Sequence, residues 1–90
     1  MMYPFLQLDD KTEIVHSELR SDGTVKVYVE KPVFGGFNSA TCFLPEYRWE
    51  NIEGFSTAEL EYLQEIIEST AHLIIRFAGE GGFASDASNF

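Results

Sequence analysis

Apolar residues recur with a helical period over residues 56–78, the longest patterned segment of the chain. At 100° per residue, its apolar side chains fall within about half of the helix circumference. Ser56 and Glu59 have the spacing of a capping box, in which each side chain accepts a hydrogen bond from the other residue's backbone N–H. Gly79 follows at a position where helices commonly end. The pattern predicts one long amphipathic helix with a broad apolar side suited to packing on a sheet.

The segments before this helix have the pattern of β-strands. In the clearest of them, Val25, Val27 and Val29 alternate with polar residues, so we expect the valines to face a core and Lys26, Tyr28 and Glu30 to face away. Turn-forming residues separate it from its neighbours. The predicted strands cover residues 3–8, 12–19, 24–33 and 39–44, and residues 45–55 are expected to form an irregular connection to the helix.

The order of these elements predicts a fold and a domain organisation. We expect a two-layer α+β domain, with an antiparallel sheet of about four strands in ββββα order and one long C-terminal helix packed on one face. We expect residues 1–78 to form this single domain. The Gly/Ser-rich residues 79–90 are expected to be a C-terminal tail, whose Phe83 and Phe90 could anchor it to the other face of the sheet.

The register of the second and third strands decides which side chains lie on that outer face. A three-residue turn, with Gly23 in the left-handed conformation, would pair Val15 with Val29. This register predicts an outer row that a single helix cannot cover. The row could be covered by a second copy in a homodimer, by a partner protein or by the tail. This candidate interaction surface consists of Phe5, Ile14, His16 and Tyr28.

Charge favours some partners over others. The 90-residue chain has a formal net charge of −9, and its acids are dense over residues 46–68. Direct binding to nucleic acid or to an anionic membrane is therefore disfavoured, and a protein partner, including a basic one, is expected. Acids on a helix face also serve solubility alone. Glu61, Glu65 and Glu68 form the candidate acidic surface on the predicted helix.

Candidate chemistry in the sequence is sparse. Glu68 and His72, four residues apart on one helical face, could be half of a metal site or a base with its orienting carboxylate, but they also fit a solvated helical pair. Cys42 is more typical of a small core residue than of a nucleophile. We predict no catalytic residues, no metal site and no cofactor, and an enzymatic role is the less favoured interpretation.

The chain also lacks signals for export or membrane insertion. Cys42 is the single cysteine, the N-terminal MMYPFLQLDDK has no basic segment followed by an apolar run, and no apolar run approaches the ~20 residues needed to cross a bilayer. We therefore expect a cytoplasmic location and no association with membranes.

One resemblance concerns architecture. Residues 35–70 contain GGF, a strand ending in Leu-Pro, and then EGFST opening a helix. This order is similar to that of small HicB-type antitoxins, whose sheet-plus-helix domain binds a basic toxin, although no appended DNA-binding segment is seen here. The leading hypothesis is a small acidic, non-enzymatic interaction protein that binds a protein partner, itself or both. The alternatives are an antitoxin-like or nucleic-acid-mimicking inhibitor of a basic protein, and a small ligand-binding domain or enzyme using His72 and Glu68.

Overall fold

The structure is a computed structural model that describes residues 2–80. A five-stranded antiparallel sheet is followed by one helix, which gives the predicted α+β architecture with one strand more than expected. The strands follow one another in space in their chain order, β1-β2-β3-β4-β5. The elements are β1 (Met2–Gln7), β2 (Glu13–Ser17), β3 (Val25–Val33), β4 (Gly36–Leu44), β5 (Arg48–Glu53) and α1 (Thr57–Glu80).

Helix α1 covers one face of the sheet, here called the inner face. Val25, Val27 and Val29 of β3 are fully buried there, which confirms the predicted alternation. The apolar side of α1 packs onto them, as its period predicts. On the helix, the buried residues are Leu63, Ile67, Ala71, Ile74, Phe77 and Ala78, and on β4 they are Ala40, Cys42 and Leu44.

The start of α1 is fixed by the predicted capping box. The Ser56 N–H donates to Glu59 Oε1 at 2.9 Å, and the Glu59 N–H donates to Ser56 Oγ at 3.1 Å. Lys31 of β3 lies 3.5 Å from the Glu59 carboxylate and 3.6 Å from that of Asp10, so it links the start of the helix to the β1–β2 turn. The predicted stop at Gly79 is wrong, because α1 continues through Gly79 to Glu80, the last described residue. Most of the predicted tail lies outside the described residues.

The fifth strand replaces most of the expected irregular connection. Arg48 pairs with Phe43, Trp49 with Cys42 and Glu50 with Thr41. A bulge then shifts the register, and Asn51 has a left-handed φ of 53°. This bulge interrupts the alternation by which a strand is recognised, and β5 therefore resembles a loop in the sequence.

The predicted β2–β3 register is also wrong. Val15 lies opposite Tyr28, not Val29, and His16 lies opposite Val27. The predicted three-residue turn does form, since the Arg20 N–H donates to the Thr24 carbonyl at 2.9 Å and Gly23 has a φ of 83°. The register slips by one residue between this turn and His16, where the Leu19 N–H donates to the Ala78 carbonyl of α1 at 3.1 Å. The shift by one residue turns every β2 side chain to the opposite face.

Candidate interaction surface

The shifted register divides the predicted interaction row between the two faces of the sheet. Ile14 is 1% exposed and His16 is fully buried, both beneath α1. Phe5 contacts the helix residue Phe77, with 6.2 Å between ring centroids. These three residues are therefore part of, or packed against, the core, and their predicted outer placement is wrong. Tyr28 is half-buried on the uncovered face, here called the outer face, as predicted.

His16 is an unusual member of the core. Its Nδ1 lies 2.8 Å from the Ser17 carbonyl, which can only accept, so Nδ1 is the donor in this hydrogen bond. Nε2 is buried without a hydrogen-bond partner among the described residues. The rings of Tyr3 and Phe5 pack beside it at 5.7 and 6.3 Å. The imidazole thus fills apolar space, and it is not available at the surface.

The outer face has its side chains in cross-strand rows, as pairing in a sheet requires. The middle row runs Pro4, Val15, Tyr28, Thr41 and Glu50 across all five strands. Tyr28 donates its hydroxyl proton to Glu30 Oε2 at 3.0 Å. Burial, followed by this hydrogen bond, raises the pKa of Tyr28 above its ordinary value, so the phenol remains a neutral donor.

The cross-strand row next to the middle row, on the side of the β3–β4 turn, has acidic side chains on the outer face. Glu13 lies directly opposite Glu30, and Glu53 follows on β5 beyond Ser39. We call Glu13, Glu30 and Glu53 the acidic row. None of them takes part in the ion pairs formed between described residues. Like charges directly opposite each other destabilise a sheet, so an opposing positive surface would offset a cost already present in the fold.

On the other side of the middle row, away from the β3–β4 turn, the outer face has basic side chains around the aromatic ring of Phe43. The guanidinium groups of Arg20 and Arg48 lie 5.3 and 4.8 Å from the centre of the Phe43 ring, within the range of cation–π contacts. Lys26 pairs with Phe43 from β3. We call Arg20, Lys26 and Arg48 the basic end. Arg48 also contacts Glu50 at 2.7 Å, so its charge is partly neutralised.

A second exposed feature is the turn between the two longest strands. The pairing of β3 with its neighbour β2 stops at Glu30, and that of β4 with β5 stops at Ser39, so residues 31–38 project as a two-stranded hairpin. Gly35, with φ of 84°, allows the tight turn. Phe34 at the apex is completely exposed (107%), and Phe37 and Val33 are 61% and 38% exposed. These three apolar residues are the hairpin tip.

The predicted acidic surface is present on the helix. Glu61, Glu65 and Glu68 are exposed on the solvent side of α1, and none of them is in an ion pair with a described residue. Glu68 accepts a hydrogen bond from the Gln64 amide at 3.0 Å. His72 is exposed nearby, but no bond between it and Glu68 forms. Glu68 and His72 are therefore close in sequence, but their side chains do not form the proposed pair.

The remaining candidates are the Cys42 thiol, a metal site and a membrane-spanning helix. Cys42 is fully buried, and burial raises the pKa of its thiol to about 11, in agreement with a core role. Residues 2–80 contain no group of three or more His, Cys, Asp or Glu side chains arranged to hold a metal ion. Over the same residues, α1 is too polar to qualify as a membrane-spanning helix.

The exposure of the hairpin tip was not predicted, although the sequence contains a signal for it. Phe34 and Phe37 flank Gly35-Gly36, and a glycine pair usually marks a turn on the surface. Two aromatic residues beside such a turn cannot both be buried by a short loop. Their position therefore indicates an exposed aromatic apex between two strands.

Comparison of the chain with protein families, with curated proteins and with solved structures finds no match in any of the three.

Proposed function

We propose that this protein is a small, non-enzymatic interaction protein that binds a protein partner through the hairpin tip. The observation behind this proposal is the complete exposure of Phe34 at the apex of a hairpin that extends past both neighbouring strands. A single exposed apolar residue is normal on a protein surface, but Phe34, Phe37 and Val33 are exposed together, and a contiguous apolar patch of this kind favours a contact outside the domain.

The form of the hairpin supports this use. Pairing along its whole length, from Val25 opposite Leu44 to Val33 opposite Gly36, holds the tip on a stiff ribbon whose base is part of the core. Little conformational freedom would be lost when the tip enters a pocket, and pre-organisation of this kind favours affinity. Aromatic anchors that fill a pocket commonly dominate binding energy in protein interfaces. The expected partner has an apolar pocket that receives Phe34 and Phe37.

The proposal can be tested by replacing Phe34 with a photo-crosslinking phenylalanine analogue in cells that express the protein. We expect one discrete adduct with another protein, and its loss when Phe37→Ser is added. The same analogue at Ser69, exposed in the middle of α1, is the matched control and should not form that adduct.

The protein identified in this way is then purified and titrated against the wild type and Phe34→Ser. The proposal requires binding that Phe34→Ser weakens at least tenfold. Absence of any adduct at position 34, or equal binding of the two forms, would contradict it. An adduct formed with a second copy alone would assign the tip to self-association.

A second candidate function uses the acidic surface on α1. Exposed Glu61, Glu65 and Glu68, spaced to lie along one side of the helix, favour a basic partner such as an antitoxin-like inhibitor would bind. Mimicry of nucleic acid is less favoured because the acids of residues 46–68 do not form one stripe. Glu50 and Glu53 lie on the outer face of the sheet, on the opposite side of the domain from the helix acids. Strong salt dependence of binding, removed by changing the three helix glutamates to Gln, would favour this candidate over the tip.

The third hypothesis, a ligand-binding domain or enzyme using His72 and Glu68, receives no support from their geometry, since the Glu68 carboxylate is engaged by Gln64. A cytoplasmic site of action stays a prediction.

A further inference from the structure

The arrangement of charges on the outer face is self-complementary. The acidic row and the basic end lie on opposite sides of the middle row. On β3 alone, Glu30 and Lys26 are each two residues from Tyr28, one on either side, and face the same way. At ~3.3 Å per residue, Glu30 and Lys26 are roughly 13 Å apart. A rotation about the middle row therefore exchanges the positions of acids and bases.

We propose that two copies of this chain pack outer face against outer face, about a two-fold axis that runs along the middle row. The strands of the two copies would be antiparallel across the interface. Each acidic row would lie over the basic end of the other copy, and the Tyr28 side chains would meet near the axis. This inference concerns a different surface from the hairpin tip and does not depend on the function proposed for it.

The symmetry follows from the charges. In a two-fold dimer the same patch is used by both copies, so the patch must complement itself. With the axis parallel to the strands, Glu30 would oppose Glu30 and the acidic row would be doubled. With the axis along the middle row, Glu30 opposes Lys26 of the second copy and Glu53 opposes Arg48, whereas Glu13 lies over the uncharged Ser17. Only this second arrangement offsets the repulsion between Glu13 and Glu30 within each sheet.

The net charge of −9 does not prevent this pairing. The acids of the helix lie on the far side of each copy, behind the sheet and α1. At physiological ionic strength, charges farther apart than about 8 Å are largely screened when they are exposed to solvent. On the contacting faces the three acids of the acidic row balance the three bases of the basic end, and two further acids, Glu46 and Glu50, are both in ion pairs with Arg48.

The size of the face indicates a reversible dimer. Five strands ~4.8 Å apart and about 20 Å of strand length give a flat area of roughly 500 Å². Stable complexes bury about 800 Å² on each partner. We therefore expect the dimer population to rise with protein concentration.

Charge reversal with mixing tests this geometry. Sedimentation velocity is run over a concentration series on the wild type, Glu30→Lys, Lys26→Glu and an equimolar mixture of the two variants. We expect a wild-type dimer and at least tenfold weaker dimerisation of each variant alone. Dimerisation should recover in the mixture, where the introduced lysine of one chain meets the introduced glutamate of the other. Glu61→Lys makes the same charge change on the solvent side of α1 and should leave the dimer unaffected.

Three results would overturn the proposal. They are a wild type that remains monomeric throughout the concentration series, a Glu30→Lys variant that dimerises more tightly, and a mixture no more dimeric than its components. Circular dichroism verifies that each variant is folded. If either single variant unfolds, the chain with both reversals takes its place, because it restores the complementary pattern and must dimerise like the wild type. Photo-crosslinking at position 34 reads out the tip separately, so either proposal can fail alone.

Discussion

The two faces of the sheet are built from the same strands and differ in what covers them. On the inner face, Val25, Val27 and Val29 have no exposed surface beneath α1. On the outer face, Lys26, Tyr28 and Glu30, from the same strand, remain partly exposed and organise charge in rows. One strand thus contributes both to the core and to the available surface. In β3 the odd-numbered residues face the core and the even-numbered residues face outward. A shift of register by one residue therefore exchanges structural and functional roles.

The strongest test of this difference compares neighbouring residues of β2. Ile14→Ala removes a side chain that is 1% exposed, so we expect a loss of roughly 2–5 kcal/mol in the free energy of unfolding. Val15→Ala acts on the outer face, where a loss of roughly 1 kcal/mol or less is expected. Urea denaturation measures both. Equal losses would mean that the assigned β2 register is incorrect.

Thiol reactivity sharpens the same comparison on β4. Cys42 is buried, and its thiol pKa of about 11 leaves about a thousandth of it as thiolate at pH 8. Cys42→Ala with Ser39→Cys moves the single thiol to the outer face. The rate of reaction with a disulfide reagent in the native state should rise on the order of a hundredfold. The rate for Cys42 should continue to increase with pH toward 11. Comparable rates for the two proteins at pH 8 would refute the assignment of Cys42 to the inner face.

The helix that covers the inner face can be loosened at its start. Ser56→Ala removes the hydroxyl that accepts the Glu59 N–H, and we expect a loss of about 1 kcal/mol. Ser69→Ala is the control, since that hydroxyl only donates to the Ile66 carbonyl within the helix. Thermal denaturation compares the two. A cap without effect would show that packing alone positions α1.

The smallest expected effect is on the pH dependence of stability. Hydrogen bonds from Ser56 lower the pKa of Glu59, and hydrogen bonds from Thr12 lower that of Asp10, with Lys31 contributing to both. A carboxyl whose pKa is lower in the folded state stabilises the fold above its unfolded pKa, and this contribution is lost as the pH falls through the folded pKa. Unfolding should therefore become easier as the pH falls below about 4, near the unperturbed carboxyl values. Glu59→Gln should flatten that slope, and an unchanged slope would exclude Glu59 as a contributor.

Much of this architecture could be predicted from local patterns. The apolar period of α1, the capping box at Ser56 and the valine alternation of β3 each depend on residues close together in the chain. The confirmed features are the two-layer α+β fold, the inward valines, the outward Tyr28 and the burial of Cys42. The long helix was also predicted correctly, apart from its continuation through Gly79.

The errors arose where a distant contact decides the local structure. Strand β2 has apolar residues at both parities, with Ile14 on one face and Val15 on the other, so its sequence alone does not fix its orientation. In the stretch where the register slips, the Leu19 N–H donates to the carbonyl of Ala78, which is 59 residues away in the chain. Strand β5 was missed because the bulge at Asn51 hides its alternation. The predicted interaction row failed for the first of these reasons.

The most direct test of the outer face as a contact surface is the solution mass of wild type, Tyr28→Glu and Tyr62→Glu by light scattering at several concentrations. Tyr28 is central in the middle row, whereas Tyr62 is 58% exposed on α1 and serves as the control. Our account predicts that wild type and Tyr62→Glu dimerise as concentration rises, while Tyr28→Glu stays folded and monomeric. A wild type that is monomeric at every concentration, or a Tyr28→Glu dimer as stable as that of the wild type, would contradict it.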